Sequence, residues 1–144
     1  MNLEAMKPGN SLPNSELTDR IIAAAIRVHR ELGPGFLEAI YEEALAVEFA
    51  ASGIQFERQK PVGLYYREQH IGEHRLDFLV EQTVVLELKA ISAVEDIHFA
   101  TVRSYLKACK LEVGLLLNFA APTLTIKRIG REQYSRNRTS DFLS

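Results

Sequence analysis

Asp77, Glu87 and Lys89 are the residues of this 144-residue chain whose types and spacing are suited to chemistry. Asp77 interrupts the apolar run Leu76-x-Phe78-Leu79-Val80, and Glu87 and Lys89 alternate with Leu86 and Leu88. Side chains on a strand point alternately to its two faces, so Glu87 and Lys89 share one face and the leucines the other. Residues 75–89 read as two short strands joined by a polar turn at Glu81-Gln82. Folded back as a hairpin, residues whose numbers sum to about 163 or 164 lie opposite each other, which puts Asp77 beside Glu87. Two carboxylates and an ammonium would then converge on a mostly apolar sheet, a costly arrangement unless something uses it.

A structural ion pair needs one acid and one base. Here there is an excess acid, which is repelled without a further cation. Mg²⁺ prefers near-octahedral oxygen coordination and keeps several waters, so two carboxylates and a backbone carbonyl suffice to hold it. Such an ion polarises a phosphoryl oxygen and lowers the pKa of water, while a lysine on the same face stabilises developing charge. Phosphodiester cleavage is the reaction class this trio suits best.

The surrounding elements must place these groups. Residues 1–14, with Pro8, Gly9, Pro13 and Asn14, read as a flexible leader. Leu17, Ile21, Ala24, Ala25, Val28 and Leu32 recur at helical spacing, after a cap at Asn14 or Ser15. Gly33-Pro34-Gly35 stops that helix. A second helix is predicted from Phe36 to about Ser52, with Leu37, Ile40, Tyr41, Ala44, Leu45, Val47 and Phe49 as its apolar face. Ile54 to Tyr66 read as strands split by Pro61, and Arg67 to His70 as a turn leading into the hairpin. After Ala90 the period is helical again, with Ser92 as a cap and Val94, Ile97, Ala100 or Thr101, Tyr105, Leu106 and Cys109 on one side. Val113–Phe119 suits a buried strand and Leu124–Ile129 a partner or edge strand.

The order is helix, helix, three strands, helix, two strands. It implies an α/β sandwich with a mixed sheet in the middle, and a right-handed crossover that makes Val113–Phe119 parallel to a neighbour. One domain over residues 15–130, followed by a basic, fraying tail at 131–144, is the expected organisation.

Composition bounds the alternatives. A hydrophobic content of 47% and a charged content of 25% are those of an ordinary globular domain. One cysteine, Cys109, excludes an internal disulfide framework or a Cys-rich zinc site and points to a reducing, cytoplasmic compartment. No apolar run approaches the ~18–20 residues of a membrane span. The net charge of −2 gives no whole-molecule argument for nucleic-acid binding, so that argument needs a local patch. Lys127, Arg128, Arg131, Arg136 and Arg138 form one, suited either to phosphates or to a solvated end.

Leu76-Asp77 followed by Glu87-Leu88-Lys89 resembles the signature of the PD-(D/E)XK nuclease superfamily, with Leu76 in place of the usual proline. Gly35-Phe36-Leu37-Glu38-Ala39-Ile40-Tyr41 matches the motif of its small bacterial GxxExxY family, and the stretches Val28–Gly35 and Gly114–Phe119 are also similar to that family. The resemblance implies a restriction-endonuclease-like three-layer core of order α-α-β-β-β-α-β-β. It implies Mg²⁺ or Mn²⁺ held by Asp77, Glu87, the Leu88 carbonyl and Glu38, with Lys89 assisting the attacking water and Tyr105 joining the catalytic set. The implied partner is nucleic acid, DNA before RNA, and nucleases of this size commonly form homodimers to enclose it. Relatives carry Gln-x-x-x-Tyr on the helix after Glu-x-Lys; here Thr101 replaces the glutamine and Tyr105 is kept. That replacement keeps a second reading open, a weak or inactive nuclease-like binding module. By residue type alone, Glu38 is equally a solvated first-turn acid, Tyr41 and Tyr105 are core tyrosines, and His29 and His98 pack or support, His98 facing the site. Cys109 is a small apolar filler.

Overall fold

A computed structural model describes residues 14–131. The elements are α1 (Ser15–Leu32), α2 (Glu38–Ala51), β1 (Phe56–Tyr66), β2 (Gln69–Val80), β3 (Val84–Lys89), α3 (Asp96–Cys109), β4 (Val113–Asn118) and β5 (Thr125–Gly130). The strands form one mixed sheet in the order β1-β2-β3-β4-β5, antiparallel throughout except for the parallel pair β3 and β4. The expected order of elements and the crossover through α3 are therefore present, and the fold is the restriction-endonuclease-like α/β core. The leader to residue 13, and Arg136 and Arg138 of the basic tail, lie outside the described residues.

The sheet separates two apolar layers. On one side Ile21, Ala25 and Val28 of α1 and Tyr41, Leu45 and Phe49 of α2 pack on Phe78, Val80, Leu86, Leu88, Leu115 and Leu117. On the other, Val102, Tyr105 and Leu106 of α3 pack on Leu76, Leu79, Val85, Leu116 and Ile129. Both faces of β3 and β4 are covered, which is why these strands read as continuous apolar runs. Gly114 is needed for this: a Cβ there would stand 2.8 Å from a Val102 methyl, so α3 rests directly on β4.

Several local expectations give way to tertiary context. Pro61 does not split β1, because β1 is an edge strand and a missing N–H on its outer side costs no ladder bond. α2 begins at Glu38 rather than Phe36, since Leu37 is extended, and Phe36, Leu37, Ile40 and Val47 stay exposed. Asn14 adopts a left-handed conformation and its side chain makes no capping bond. α3 is capped by Glu95 rather than Ser92: the Glu95 side chain accepts from the His98 backbone, and the Glu95 N–H donates to His98 Nδ1 at 2.8 Å. His98 is thus a capping residue, and Ile97 is exposed.

One irregularity shapes the site. Along β1, Phe56 packs in the α1/α2 layer and Arg58 bonds α2, yet Val62 packs in the α3 layer. Along β2, Phe78 lies in the first layer and Leu76 in the second. Regular alternation would keep residues of like parity on one face. Both strands invert between the rungs Arg58–Phe78 and Lys60–Leu76, where Gln59 takes φ 51 and Asp77 stands opposite it.

Candidate active site

The β2–β3 hairpin has the register the residue numbers imply, with Phe78 opposite Leu86, Leu79 opposite Val85 and Val80 opposite Val84. Its turn places Glu81 and Gln82 both at positive φ, with Thr83 N–H donating to Val80 O. The ladder ends one rung short of Asp77 and Glu87. There the Asp77 carboxylate replaces a backbone acceptor: its Oδ2 takes the Leu88 N–H at 2.7 Å. The bond holds Asp77 over the end of β3 and leaves its other oxygen for the site.

Glu87 is 8% exposed, and among the described residues its buried Oε1 has no hydrogen-bond partner. Among those residues the cation paired with it is Lys89, whose Nζ stands 3.8 Å from Oε2. Burial first, and then the Asp77 charge, push the Glu87 carboxyl up to about 8. Burial also raises Asp77; the Leu88 N–H opposes that rise, while Glu42 and then Glu38 add to it. A buried acid with an orphaned oxygen beside a second acid is short of positive charge and of a hydrogen-bond donor among the described residues.

The helical motif closes the same end of the sheet. Gly35, at φ 116, permits the turn into α2. The Tyr41 hydroxyl donates to Gly33 O at 2.6 Å, accepts from Phe36 N–H, and its ring stacks on Phe119 at 4.4 Å. Glu38, the first residue of α2, reaches the chain just beyond β3, where its Oε2 accepts the Ala90 N–H at 3.1 Å. From the opposite layer, Tyr105 is close enough for Glu87 and Asp77 to help burial push its hydroxyl to about 12, and that hydroxyl meets His74 Nδ1 at 3.3 Å.

Thus Asp77, Glu87, Leu88 and Lys89 are brought together, with Glu38 at one rim and Tyr105 at the other. Among the described residues, no three acidic, histidine or cysteine side chains enclose an ion unaided. The donor set fits an oxygen-loving divalent ion only in the form of two carboxylates completed by a carbonyl and water. Thr101 takes no part: its hydroxyl donates to Ile97 O within α3 at 2.9 Å. His29 is buried, bonded to Ala121 O and against Phe119. Of the described residues of the basic patch, Arg131 pairs with Glu112 and Arg128 bonds the Thr18 hydroxyl, so neither is directed to the site.

A family model for the PD-(D/E)XK nuclease superfamily matches residues 15–129, most of the chain. The chain belongs to that superfamily. Its members are nucleases that generally depend on a divalent metal. No curated protein matches the chain. No helix of the described residues is long and apolar enough to cross a membrane.

Two contributors escaped sequence reasoning. Glu42 is the α2 acid that acts most on Asp77, but Arg58 and Gln59 hold its carboxylate at 3.0 Å each. Asn118, 3% exposed at the end of β4, clasps the segment after Lys89. Its Oδ1 accepts the Ile91 N–H at 3.0 Å and its Nδ2 donates to Ile91 O at 2.9 Å, while Phe119 N–H donates to Lys89 O. A buried asparagine ending an apolar strand was the available signal.

Proposed function

We propose that this protein is a metal-dependent nuclease of the GxxExxY type that hydrolyses phosphodiester bonds, in DNA before RNA. The observation that carries the reading is the buried, unpartnered Glu87 Oε1 beside Asp77 and one lysine. Asp77, Glu87 and the Leu88 carbonyl are the groups that would hold Mg²⁺ or Mn²⁺ directly, with Glu38 at the rim acting through a bound water. When bound, such an ion polarises the phosphoryl oxygen and makes water a better nucleophile at neutral pH. The protein's own part is orientation. The Leu88 N–H fixes Asp77, and the Glu38–Ala90 bond and the Asn118 clasp on Ile91 fix the backbone just after Lys89. Lys89 Nζ then donates a hydrogen bond to the attacking water and to the phosphate as its charge grows. Tyr105 walls the site from the α3 side and keeps its proton at neutral pH.

A second reading, a scaffold with weak or no cleavage, is favoured by one observation: Thr101 is turned back into its own helix where relatives carry a longer side chain. One pair of measurements separates the two. Labelled single- and double-stranded DNA and RNA incubated with Mg²⁺ or Mn²⁺ should be cut by the wild type and not by Asp77→Ala. The ion should also raise the melting temperature of the wild type but not of that variant. Absence of cleavage on every substrate sinks the nuclease reading, and a missing thermal shift removes the metal site with it.

A further inference from the structure

The β1–β2 hairpin is much longer than the sheet needs. β2 pairs with β3 only from Phe78 to Val80, whereas its pairing with β1 runs on to Gln69. Because β2 is antiparallel to β3, residues 74 down to 69 continue past the carboxyl end of β3, the end that carries Glu87 and Lys89. By the same register Arg75 is level with Lys89, so β2 overhangs β3 by six residues, roughly 20 Å at strand rise. The inversion at Gln59 and Asp77 is where this arm departs from the main sheet's alternation.

The arm's tip is unusual in composition. Tyr65 is 66% exposed and Tyr66 63%. Their partners hold the rings in place rather than cover them. The Tyr65 ring lies across Gly63, where an added Cβ would come within 3.0 Å of it, and meets His70 edge-on at 5.3 Å. The Arg67 guanidinium stands 5.8 Å over the Tyr66 ring. As successive strand residues the two tyrosines face opposite sides of the ribbon, and each held, exposed ring, one of them beside a cation, is a stacking surface for a flat, π-rich group. The arm's charges nearly balance, with Lys60, Arg67 and Arg75 against Glu68 and Glu73, so phosphate neutralisation is not its main resource.

We propose that this arm is a substrate-gripping element that stacks unpaired bases of a nucleic-acid strand on Tyr65 and Tyr66 while the scissile phosphate lies at Asp77, Glu87 and Lys89. The inference rests on the nuclease reading and adds a substrate class to it: single strands, or duplex ends and junctions with unpaired bases. A fully paired duplex keeps its base faces stacked inside and offers nothing to the two rings.

The test uses the full chain with Mn²⁺, a fluorescent single-stranded oligonucleotide, its blunt duplex, and bis(p-nitrophenyl) phosphate, which is too small to reach the arm. Wild type should cut the single strand in preference to the duplex. The Tyr65→Ala/Tyr66→Ala double variant should raise KM and Kd for the single strand about tenfold or more, with the loss alike at low and high salt. Hydrolysis of the small diester should be unchanged, and the Phe/Phe variant should restore binding. Gly63→Ala, which displaces the Tyr65 ring, should give part of the same loss. If wild type cuts and the double variant matches it on both strands, the arm inference falls and the nuclease reading stands. If the tyrosine variants alter only the oligomeric state, the arm pairs with a second copy of this chain and the inference also falls. If wild type cleaves nothing, yet the double variant still loses single-strand binding, the arm keeps its role and the nuclease reading falls.

Discussion

Two clusters of this molecule contain the same charges, two carboxylates and one cation, and end in opposite states. In the first, Arg58 spans Glu42 and Glu43 at 3.0 and 2.7 Å, and its guanidinium holds the exposed Glu43 carboxyl below its usual range. In the second, Lys89 approaches only Glu87, at 3.8 Å, and burial drives both Glu87 and Asp77 upward. A planar fork satisfies two acids at once, whereas an ammonium on a flexible stem is a point charge that settles near one. Burial amplifies the difference, since the second cluster has little water to fall back on. The first cluster is complete as it stands. The second, among the described residues, is left short of positive charge and of one hydrogen-bond donor, and that deficit is what the proposed metal would fill.

The comparison can be broken from either side. Lys89→Ala should lower kcat on an oligonucleotide by about 10²–10³-fold, the range for losing one charge-stabilising donor, while Arg58→Ala changes it little. Next in size is relief of the excess acid. With a chelator present, Glu87→Gln should melt several degrees above wild type at pH 8. The sign follows from the raised carboxyl. The unfolded chain ionises near 4.5 and the folded one near 8, so wild-type stability is full below the lower value and lost as pH rises through the upper one. The Gln variant lacks that slope, and a parallel fall in both proteins would show that Glu87 is not the source. At neutral pH, Glu43→Gln should leave the melting temperature where it is.

Asn118→Ala should cost ~1–3 kcal/mol by stranding the half-buried Ile91 N–H and C=O, and should lower kcat more than KM by loosening the backbone behind Lys89. Equal kcat in the two proteins would confine Asn118 to the fold. Arg58→Ala should cost less, up to ~1 kcal/mol of stability for a partly exposed pair.

Much of this was readable from patterns of neighbouring residues. Strand periodicity and a polar turn at Glu81-Gln82 set the hairpin register, and with it the approach of Asp77 to Glu87. The helical stretch between two apolar strands announced the parallel pair β3 and β4. What failed depended on which neighbours an element meets. Leu37, Ile40 and Val47 look like core residues and are exposed, because α2 starts after Leu37 and turns Tyr41, Leu45, Ala46 and Phe49 toward the sheet. Pro61 looks like a break and is not, because β1 has no outer partner. His98 looks like a site residue and is held at a helix cap.

The amino-acid sequence by itself determined the order of elements, the hairpin register and which residue types stand near the end of β3, since these follow from side-chain period and turn chemistry over a few residues. Only the tertiary structure decided which charges are satisfied. Glu42 found Arg58 across sixteen residues, Glu38 found Ala90 across fifty-two, and Glu87 found no donor for one of its oxygens. Burial and long-range hydrogen bonding set those outcomes, and neither is a property of a residue's neighbours in the chain.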